Sequence, residues 1–206
     1  RMVAETMARG VEAVQRQAVK GEQTASDWDA AAYQEILTSF VGSNPETFGG
    51  GIWFEPYQYR PEQRYFSPYC MRQNGAVTYV DNYSLGEGVY YTDQDWYTNA
   101  ANTTQKSVRS APYYDEFAQI CMVTSSAPIY DETGRFLGVA TADIDLTQMQ
   151  QMVLSLDVVA NGRAFLIDDT GVYIADEDSE KLLSANILED DNPSFCLLYT
   201  SDAADE

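Results

Sequence analysis

Two aspartates and a group of aromatic residues are the side chains in this sequence that could carry out chemistry. The 206 residues include no histidine, which removes the commonest general base, the usual zinc ligand and the Ser-His-Asp arrangement. An enzyme would therefore have to use paired carboxylates, such as Asp115 and Asp143. We expect the chain not to be an enzyme.

The individual candidates differ in how strongly the sequence supports them. Asp143 lies among apolar residues of a predicted strand, where an unpaired carboxylate would be costly, so a paired or functional role is favoured. Asp115 follows two tyrosines in a predicted loop, and both a ligand contact and a simple turn residue remain open. Trp96 and Tyr97 lie on a predicted short helix and, judged alone, are more typical of a core.

Neither the cysteines nor the acidic runs indicate a metal or a redox centre. Cys70, Cys121 and Cys196 have no CxxC spacing. A disulfide between Cys70 and Cys121 and two buried free thiols both remain open. The acidic runs at 168–171 and 176–178 are more typical of turns than of calcium sites. We expect no metal and no cofactor.

The charge balance argues against nucleic acid as a partner. The chain has 12 Lys and Arg against 32 Asp and Glu, a net charge of −20, which repels phosphate backbones and anionic lipid head groups. No apolar stretch is long enough for a membrane span, and no signal-peptide pattern opens the chain. We expect sequence to be missing before Arg1, and we expect residues 196–206, which resemble translated sequencing-adapter read-through, to be non-native.

Hydrophobic periodicity predicts a long helix followed by an antiparallel sheet. Apolar residues recur every three or four positions from Arg1 to about Val41, with Ser26 or Asp27 as a candidate second N-cap. A hinge is predicted at Gly49 to Gly51. Strands are predicted next at Ile52 to Glu55, Arg64 to Met71 and Ala76 to Val80, with a tight Asn74-Gly75 turn between the last two.

The second half alternates helices with further hairpins. A short helix is predicted at Asp93 to Thr103. Strands Ile120 to Ile129 and Arg135 to Ile144 form a hairpin, and a helix capped by Asp145 runs to Leu156. The remaining predictions are strands Ala164 to Ile167 and Val172 to Ala175 and a polar helical stretch near Asp178 to Leu183. This order predicts an α+β fold.

Several motifs in this order resemble the double-Cache (tandem PAS-like) sensor domains of bacterial chemotaxis receptors, sensor kinases and diguanylate cyclases. The motifs are Gly51-Ile52-Trp53-Phe54-Glu55-Pro56, Asp95-Trp96-Tyr97, Pro112-Tyr113-Tyr114-Asp115, residues 138–146 and residues 164–171. The resemblance implies a stalk helix at 1–47, a membrane-distal ligand-binding module at 48–145, a connecting helix at 146–160 and an incomplete membrane-proximal module at 161–195.

The resemblance also implies a set of ligand-binding residues. In family members that bind amino acids, an Arg-x-Trp-Tyr segment holds the ligand carboxylate, and later aspartates and tyrosines receive its ammonium group. Here Gln94 stands where that arginine would fall, whereas the cation-binding side is retained. Because glutamine cannot form the charged fork of arginine, an amine, a quaternary ammonium compound or a neutral solute is favoured. The predicted site residues are Trp96, Tyr97, Asp143, Asp115, Tyr113, Gln94 and Tyr91, with Tyr90 as a further candidate.

The implied function is that of the extracytoplasmic sensor of a transmembrane receptor that binds an amine-, quaternary-ammonium- or amino-acid-like small molecule. The protein is expected as a homodimer attached to the membrane through flanking segments. A chemotaxis receptor is the preferred parent, and a histidine kinase or diguanylate cyclase is the alternative. A secreted structural or adhesion module and a carboxylate-dependent enzyme are the rivals from other classes. Turnover of a bound solute would favour the enzyme.

Overall fold

The computed structural model describes residues 4–12, 30–80, 83, 88–156, 163–168 and 170–189. The chain divides into two compact units, Arg1–Asp145 and Leu146–Glu206. The first unit combines helices with an antiparallel sheet, and the second begins with a helix followed by a strand pair. The expected α+β fold class is confirmed.

A seven-stranded antiparallel sheet forms the centre of the first unit. Its strands are β1 (Gly49–Phe54), β2 (Tyr69–Gln73), β3 (Ala76–Val80), β4 (Val108–Arg109), β5 (Tyr113–Asp115), β6 (Ile120–Tyr130) and β7 (Phe136–Asp145). In space the order is β3-β2-β1-β7-β6-β4, and β5 pairs with β6 as well. The first strand therefore lies in the interior of the sheet, between β2 and β7.

Two helices cover one face of this sheet. Residues 4–12 form α1, and α2 spans Ala30–Ser43, close to the predicted end of the helical region. Their apolar stripes contribute fully buried Met7, Tyr33 and Leu37, which pack with Ile52 and Phe54 of β1 in one core cluster. The candidate caps Ser26 and Asp27 lie outside the described residues.

Two tight hairpins confirm the turn chemistry expected from the sequence. Asn74 and Gly75 both have positive φ, 52° and 79°, as a two-residue type I′ turn between β2 and β3 requires. The turn between β6 and β7 has Gly134 at φ 84°. There the Asp131 carboxylate accepts hydrogen bonds from the backbone and hydroxyl of Thr133.

Three predictions for the sheet were wrong. Gly49 to Gly51 are not a hinge but the first half of β1, where all six residues are buried. The strand predicted from Arg64 begins only at Tyr69. Pro68 precedes it and cannot donate to a ladder, although its carbonyl still accepts from Ile52. The short strands β4 and β5 were not predicted.

A third helix, α3 (Asp95–Ala101), covers part of the other face. It lies inside the range predicted for it, and it buries Trp96, Tyr97 and Ala100. These side chains join an aromatic cluster with Trp53 and Tyr69. The two faces of the sheet are thus covered by different elements.

The second unit contains α4 (Thr147–Leu154) and a strand pair formed by β8 (Leu166–Ile167) and β9 (Tyr173–Ala175). The residue at the N-cap of α4 is Leu146, with no side-chain cap, so the prediction that Asp145 caps this helix was wrong. Asp145 instead ends β7. The predicted polar helical stretch is a short 3-10 turn at Ser179–Lys181. In the part of the chain described here, no helix is both long and apolar enough to span a membrane.

Candidate ligand-binding site

The strands of the sheet supply the floor of a cavity on the face opposite α1 and α2. Successive residues of a strand point to opposite faces, so Trp53 faces the cavity while Ile52 and Phe54 face the helices. By register, Asp143 on β7 lies between Gly49 on β1 and Thr124 on β6. The carboxylate of Asp143 is therefore placed near the middle of the sheet.

The walls come from α3, from β5 and from Tyr83. The cavity is lined by five aromatic rings, two carboxylates and three further side chains: Trp53, Tyr69, Tyr83, Trp96, Tyr113, Asp115, Asp143, Met122, Thr124 and Thr141. No lysine or arginine is among these lining residues. Among the residues that the structure describes, the site is thus an aromatic cavity whose formal charges are negative.

Asp143 is the most deeply placed carboxylate of the cavity, with 4% of its surface exposed. Its Oδ2 accepts a hydrogen bond of 2.7 Å from the Tyr69 hydroxyl, and its Oδ1 accepts one of 2.7 Å from the Thr124 hydroxyl. Burial raises the pKa of Asp143 to about 6, against the opposing effect of these two hydrogen bonds. The carboxylate is therefore ionised at neutral pH but within reach of protonation in mild acid.

A short chain of hydrogen bonds extends from Asp143 through Thr124 to Tyr113 on β5. The hydroxyls of Tyr113 and Thr124 lie 2.7 Å apart. Because the Thr124 hydroxyl already donates to Asp143, Tyr113 is the donor in this contact. Burial raises the pKa of both Tyr69 and Tyr113, so their hydroxyls remain protonated donors.

Asp115 is the second carboxylate and lies on β5, not in a loop as predicted. Its exposed fraction is 8%. Its Oδ1 accepts a hydrogen bond of 3.0 Å from the Tyr83 hydroxyl and one of 2.7 Å from the backbone amide of Ala118. Three of the four carboxylate oxygens in the cavity therefore already accept hydrogen bonds within the protein.

Two glycines of β1 leave space for the rings of the floor. A Cβ atom at Gly49 would collide with the Tyr69 hydroxyl, and one at Gly51 would lie 2.7 Å from the Trp53 ring. Trp53 also donates its indole N–H to the Thr141 hydroxyl at 2.8 Å. The missing side chains thus allow Tyr69 and Trp53 to lie across the strand and face Asp143.

The cavity is narrow. Its volume, as the space open to the centre of a water molecule, is about 10 Å³. The Trp53 and Trp96 ring centroids are 4.7 Å apart, as are those of Tyr69 and Tyr83. A solute larger than water must therefore move some of these rings to enter.

The structure brings together four of the seven predicted site residues. Trp96, Tyr113, Asp115 and Asp143 all line the cavity. Their role in binding a ligand stays a prediction.

The other three predicted residues, Tyr97, Tyr91 and Gln94, lie outside the lining. The Tyr97 hydroxyl donates to Glu55 at 2.7 Å, and the Tyr91 hydroxyl donates to the Phe54 carbonyl at 2.6 Å. Gln94 occupies the N-cap of α3 and donates from its side chain to the Tyr90 carbonyl. Tyr90, the further candidate, is 42% exposed.

Sequence reasoning missed the other six lining residues, which are Trp53, Tyr69, Tyr83, Met122, Thr124 and Thr141. The alternation of β1 and β2 could have placed Trp53 and Tyr69 on one face once Asp143 was assigned to the same face. Cys70 and Cys121 are both free thiols, which answers the question of a disulfide between them. Among the described residues, no group of three or more cysteine, aspartate or glutamate side chains is arranged to hold a metal ion.

An antiparallel sheet with helices on one face and a lined cavity on the other is the architecture of a PAS-like sensor domain. A family model for the first PDC sensor domain of methyl-accepting chemotaxis protein-like receptors matches residues 33–151. The chain belongs to this family of sensor domains, as its resemblance to double-Cache domains implied. Members of the family act as sensors rather than catalysts.

Individual relatives agree with this assignment. The chain is 37% identical over 84 residues to the methyl-accepting chemotaxis protein McpC of Bacillus subtilis (strain 168), which covers 41% of this chain and 13% of McpC. The chain therefore spans only a small part of this relative's length.

Two solved structures share the fold. One is the extracellular domain of mmHK1S-Z3, a protein assigned as a histidine kinase, with a TM-score of 0.68, 21% identity, and coverage of 96% of this chain and 69% of that chain. The other is the ligand-binding domain of the Pseudomonas aeruginosa PAO1 amino acid chemoreceptor PctC in complex with GABA. Its TM-score is 0.53 and its identity 20%, with coverage of 89% of this chain and 74% of that chain.

Proposed function

We propose that this domain is the extracytoplasmic sensor of a transmembrane receptor and binds a cationic, amine-like solute in the cavity between Trp96 and Asp143. The observation that carries the proposal is the pairing of two buried carboxylates with five aromatic rings in a lining without any basic side chain. A chemotaxis receptor is the preferred parent protein, and a sensor kinase or diguanylate cyclase is the alternative.

The electrostatics of the lining favour a cation. An ionised carboxylate is costly to bury unless an opposite charge faces it. Among the described residues, the side chains of Asp143 and Asp115 accept hydrogen bonds from neutral donors. A cationic solute would supply the missing charge, and the negative faces of the rings would add further attraction. The lining therefore favours a cation over a neutral or anionic solute.

The same lining argues against an ordinary α-amino acid. PctC was solved with GABA, which has an amine and a carboxylate. In this chain Gln94 lies outside the lining, and no lysine or arginine is present there to hold a carboxylate. A carboxylate entering this cavity would meet two negative charges. Amines and quaternary ammonium compounds are therefore the favoured solutes within the amine-like class.

Signalling would follow from a change in the sheet. A ligand shifts a conformational equilibrium only through its differential affinity for the two states. Because a solute must move aromatic rings that pack on β1 and β2, its binding would favour one arrangement of the sheet on which α2 packs. In a homodimer attached to the membrane by flanking segments, a small displacement of α2 would carry the signal.

The test is a binding screen of the purified chain at pH 8, where Asp143 is ionised. Solutes that bind the native state raise its melting temperature. We expect amines or quaternary ammonium compounds to raise it, and we expect Asp143→Asn to weaken binding about 100-fold, measured by calorimetry, because one partner of a buried charge pair is lost. Asp131→Asn, at a carboxylate of the turn between β6 and β7 that is not part of the cavity lining, is the matched control and should bind normally.

A contrary result is equally clear. If organic acids without an amine raise the melting temperature and amines do not, the cation-binding proposal is wrong. Loss of binding in the Asp131 control would show that the effect comes from overall charge and not from the cavity.

A further inference from the structure

The cavity has charge and aromatic surface to offer a ligand but few free hydrogen-bond acceptors. Asp143 accepts from Tyr69 and Thr124 through its two different oxygens. Asp115 accepts from Tyr83 and from a backbone amide through a single oxygen. In the described lining, three of the four carboxylate oxygens thus already accept a hydrogen bond from the protein.

The two threonines of the floor are engaged in the same way. Thr124 accepts from Tyr113 and donates to Asp143. The Thr141 hydroxyl oxygen accepts from the indole of Trp53 at 2.8 Å and from the backbone amide of Gly51 at 3.2 Å. The hydroxyl groups that could have accepted a hydrogen bond from a ligand therefore already make hydrogen bonds within the protein.

A primary ammonium group and a fully methylated one have different requirements in such a cavity. A primary ammonium has three N–H donors, each of which must find an acceptor when it leaves water. A quaternary ammonium has none, is weakly hydrated, and is attracted to aromatic faces through its charge. The ring centroids of Tyr69, Tyr83 and Trp96 each lie within 6 Å of the ring centroid of Trp53.

We infer that the cavity selects methylated ammonium groups over primary ones, because hydrogen bonds from Tyr69 and Thr124 already use one acceptor position on each Asp143 oxygen, while the aromatic lining attracts a cation that has no N–H to donate. This inference rests on the proposed function and adds the chemical class of the cation. Tyr69 and Thr124 then determine specificity, whereas Asp143 supplies the charge.

The experiment is a calorimetric titration of the full chain at pH 8 with methylammonium, dimethylammonium, trimethylammonium and tetramethylammonium. We expect affinity to rise along this series, by about tenfold or more from the first member to the last. The neutral isostere tert-butanol should not bind. A fall in affinity along the series would overturn the inference and leave the proposed cation site intact. Failure of all four cations to bind would overturn both.

Two isosteric variants test the cause of the selectivity. Tyr69→Phe frees Oδ2 of Asp143 while keeping a ring, and Thr124→Val frees Oδ1 without changing the volume. Each should narrow the ratio of tetramethylammonium to methylammonium affinity about tenfold, because a primary ammonium gains an acceptor.

Tyr33→Phe is the matched control, since Tyr33 is a buried tyrosine on the helix-covered face of the sheet. It should leave the affinity ratio unchanged. Because each conclusion rests on a ratio of two ligands for one protein, a variant that is merely destabilised does not imitate the result. An unchanged ratio in both Tyr69→Phe and Thr124→Val would overturn the assignment of these residues.

Discussion

The two faces of the seven-stranded sheet are built from the same strands but have different chemistry. On the helix-covered face, Ile52, Phe54 and Ala140 pack with α1 and α2 in an apolar cluster. On the cavity face, the alternate residues of those strands are Trp53, Thr141 and Asp143, and they make side-chain hydrogen bonds. The pleat therefore separates residues that provide stability from residues that provide a site, within single strands.

The largest effect expected from this comparison comes from the helix-covered face. Phe54 is 1% exposed and contacts the rings of Tyr33, Tyr59 and Phe66. Phe54→Ala should lower the free energy of unfolding by about 3–5 kcal/mol, through lost burial and a residual cavity. Urea unfolding measures this. A loss below about 1 kcal/mol would mean that this face is not the main source of stability.

The next effect concerns the cavity face and depends on pH. Asp143 has a folded pKa of about 6, above its ordinary value of 3.8, so the folded state favours its protonated form. The resulting stabilisation is fully present below pH 3.8 and is lost as the pH rises through about 6, a change of about 3 kcal/mol at most.

Binding of a cation should show the reverse trend and weaken about tenfold per pH unit below pH 6.

Asp143→Asn provides the control for both pH trends. The variant has no carboxyl group at this position. The difference between its unfolding free energy and that of the unmodified chain, measured from pH 4 to 7, therefore gives the contribution of Asp143. If the unfolding free energy of both proteins changes equally between pH 4 and 7, a group other than Asp143 causes the pH dependence.

The smallest effect concerns the glycines of β1. Gly49→Ala places a methyl group against Tyr69, and overpacking of this kind costs about 1–3 kcal/mol. Gly42→Ala, in α2 with nothing within 4 Å of the added Cβ, should instead stabilise the protein by about 0.5–1 kcal/mol. Thermal unfolding of both variants, with calorimetry of cation binding, distinguishes them. Equal effects would show that Tyr69 is not held tightly over β1.

The sequence predicts the fold better than it predicts the site, for physical reasons. The turn at Asn74-Gly75 and the hairpin of β6 and β7 are specified locally, by residues next to one another in the chain. By contrast, β5 has three residues, too few to show an alternating pattern. Gly49 to Gly51 suggested a hinge because glycine is rare in strands, yet here the absence of side chains is what the neighbouring rings require.

For the site, the sequence indicated which residue types could bind a ligand but not where their side chains point. Asp143 could be singled out because a charged residue among apolar strand residues is conspicuous. The contact of Asp143 with Tyr69 could not be predicted in this way, since it joins positions 74 residues apart. Tyr97 follows Trp96 directly, yet only Trp96 lines the cavity. Adjacent positions on a helix point in directions that differ by about 100°, and their rotation is set by packing.

The interior position of β1 has a consequence for how this domain assembles. The hairpin of β2 and β3 and the hairpin of β6 and β7 join residues close in sequence and can form early. The pairing of β1 with β7 joins Gly51 to Thr141, 90 residues apart, and carries the entropic penalty of closing a long loop. Trp53 meets Thr141, and Tyr69 meets Asp143, only once this pairing is made. We therefore expect the cavity to form after the two local hairpins, because its two halves meet only through this long-range pairing.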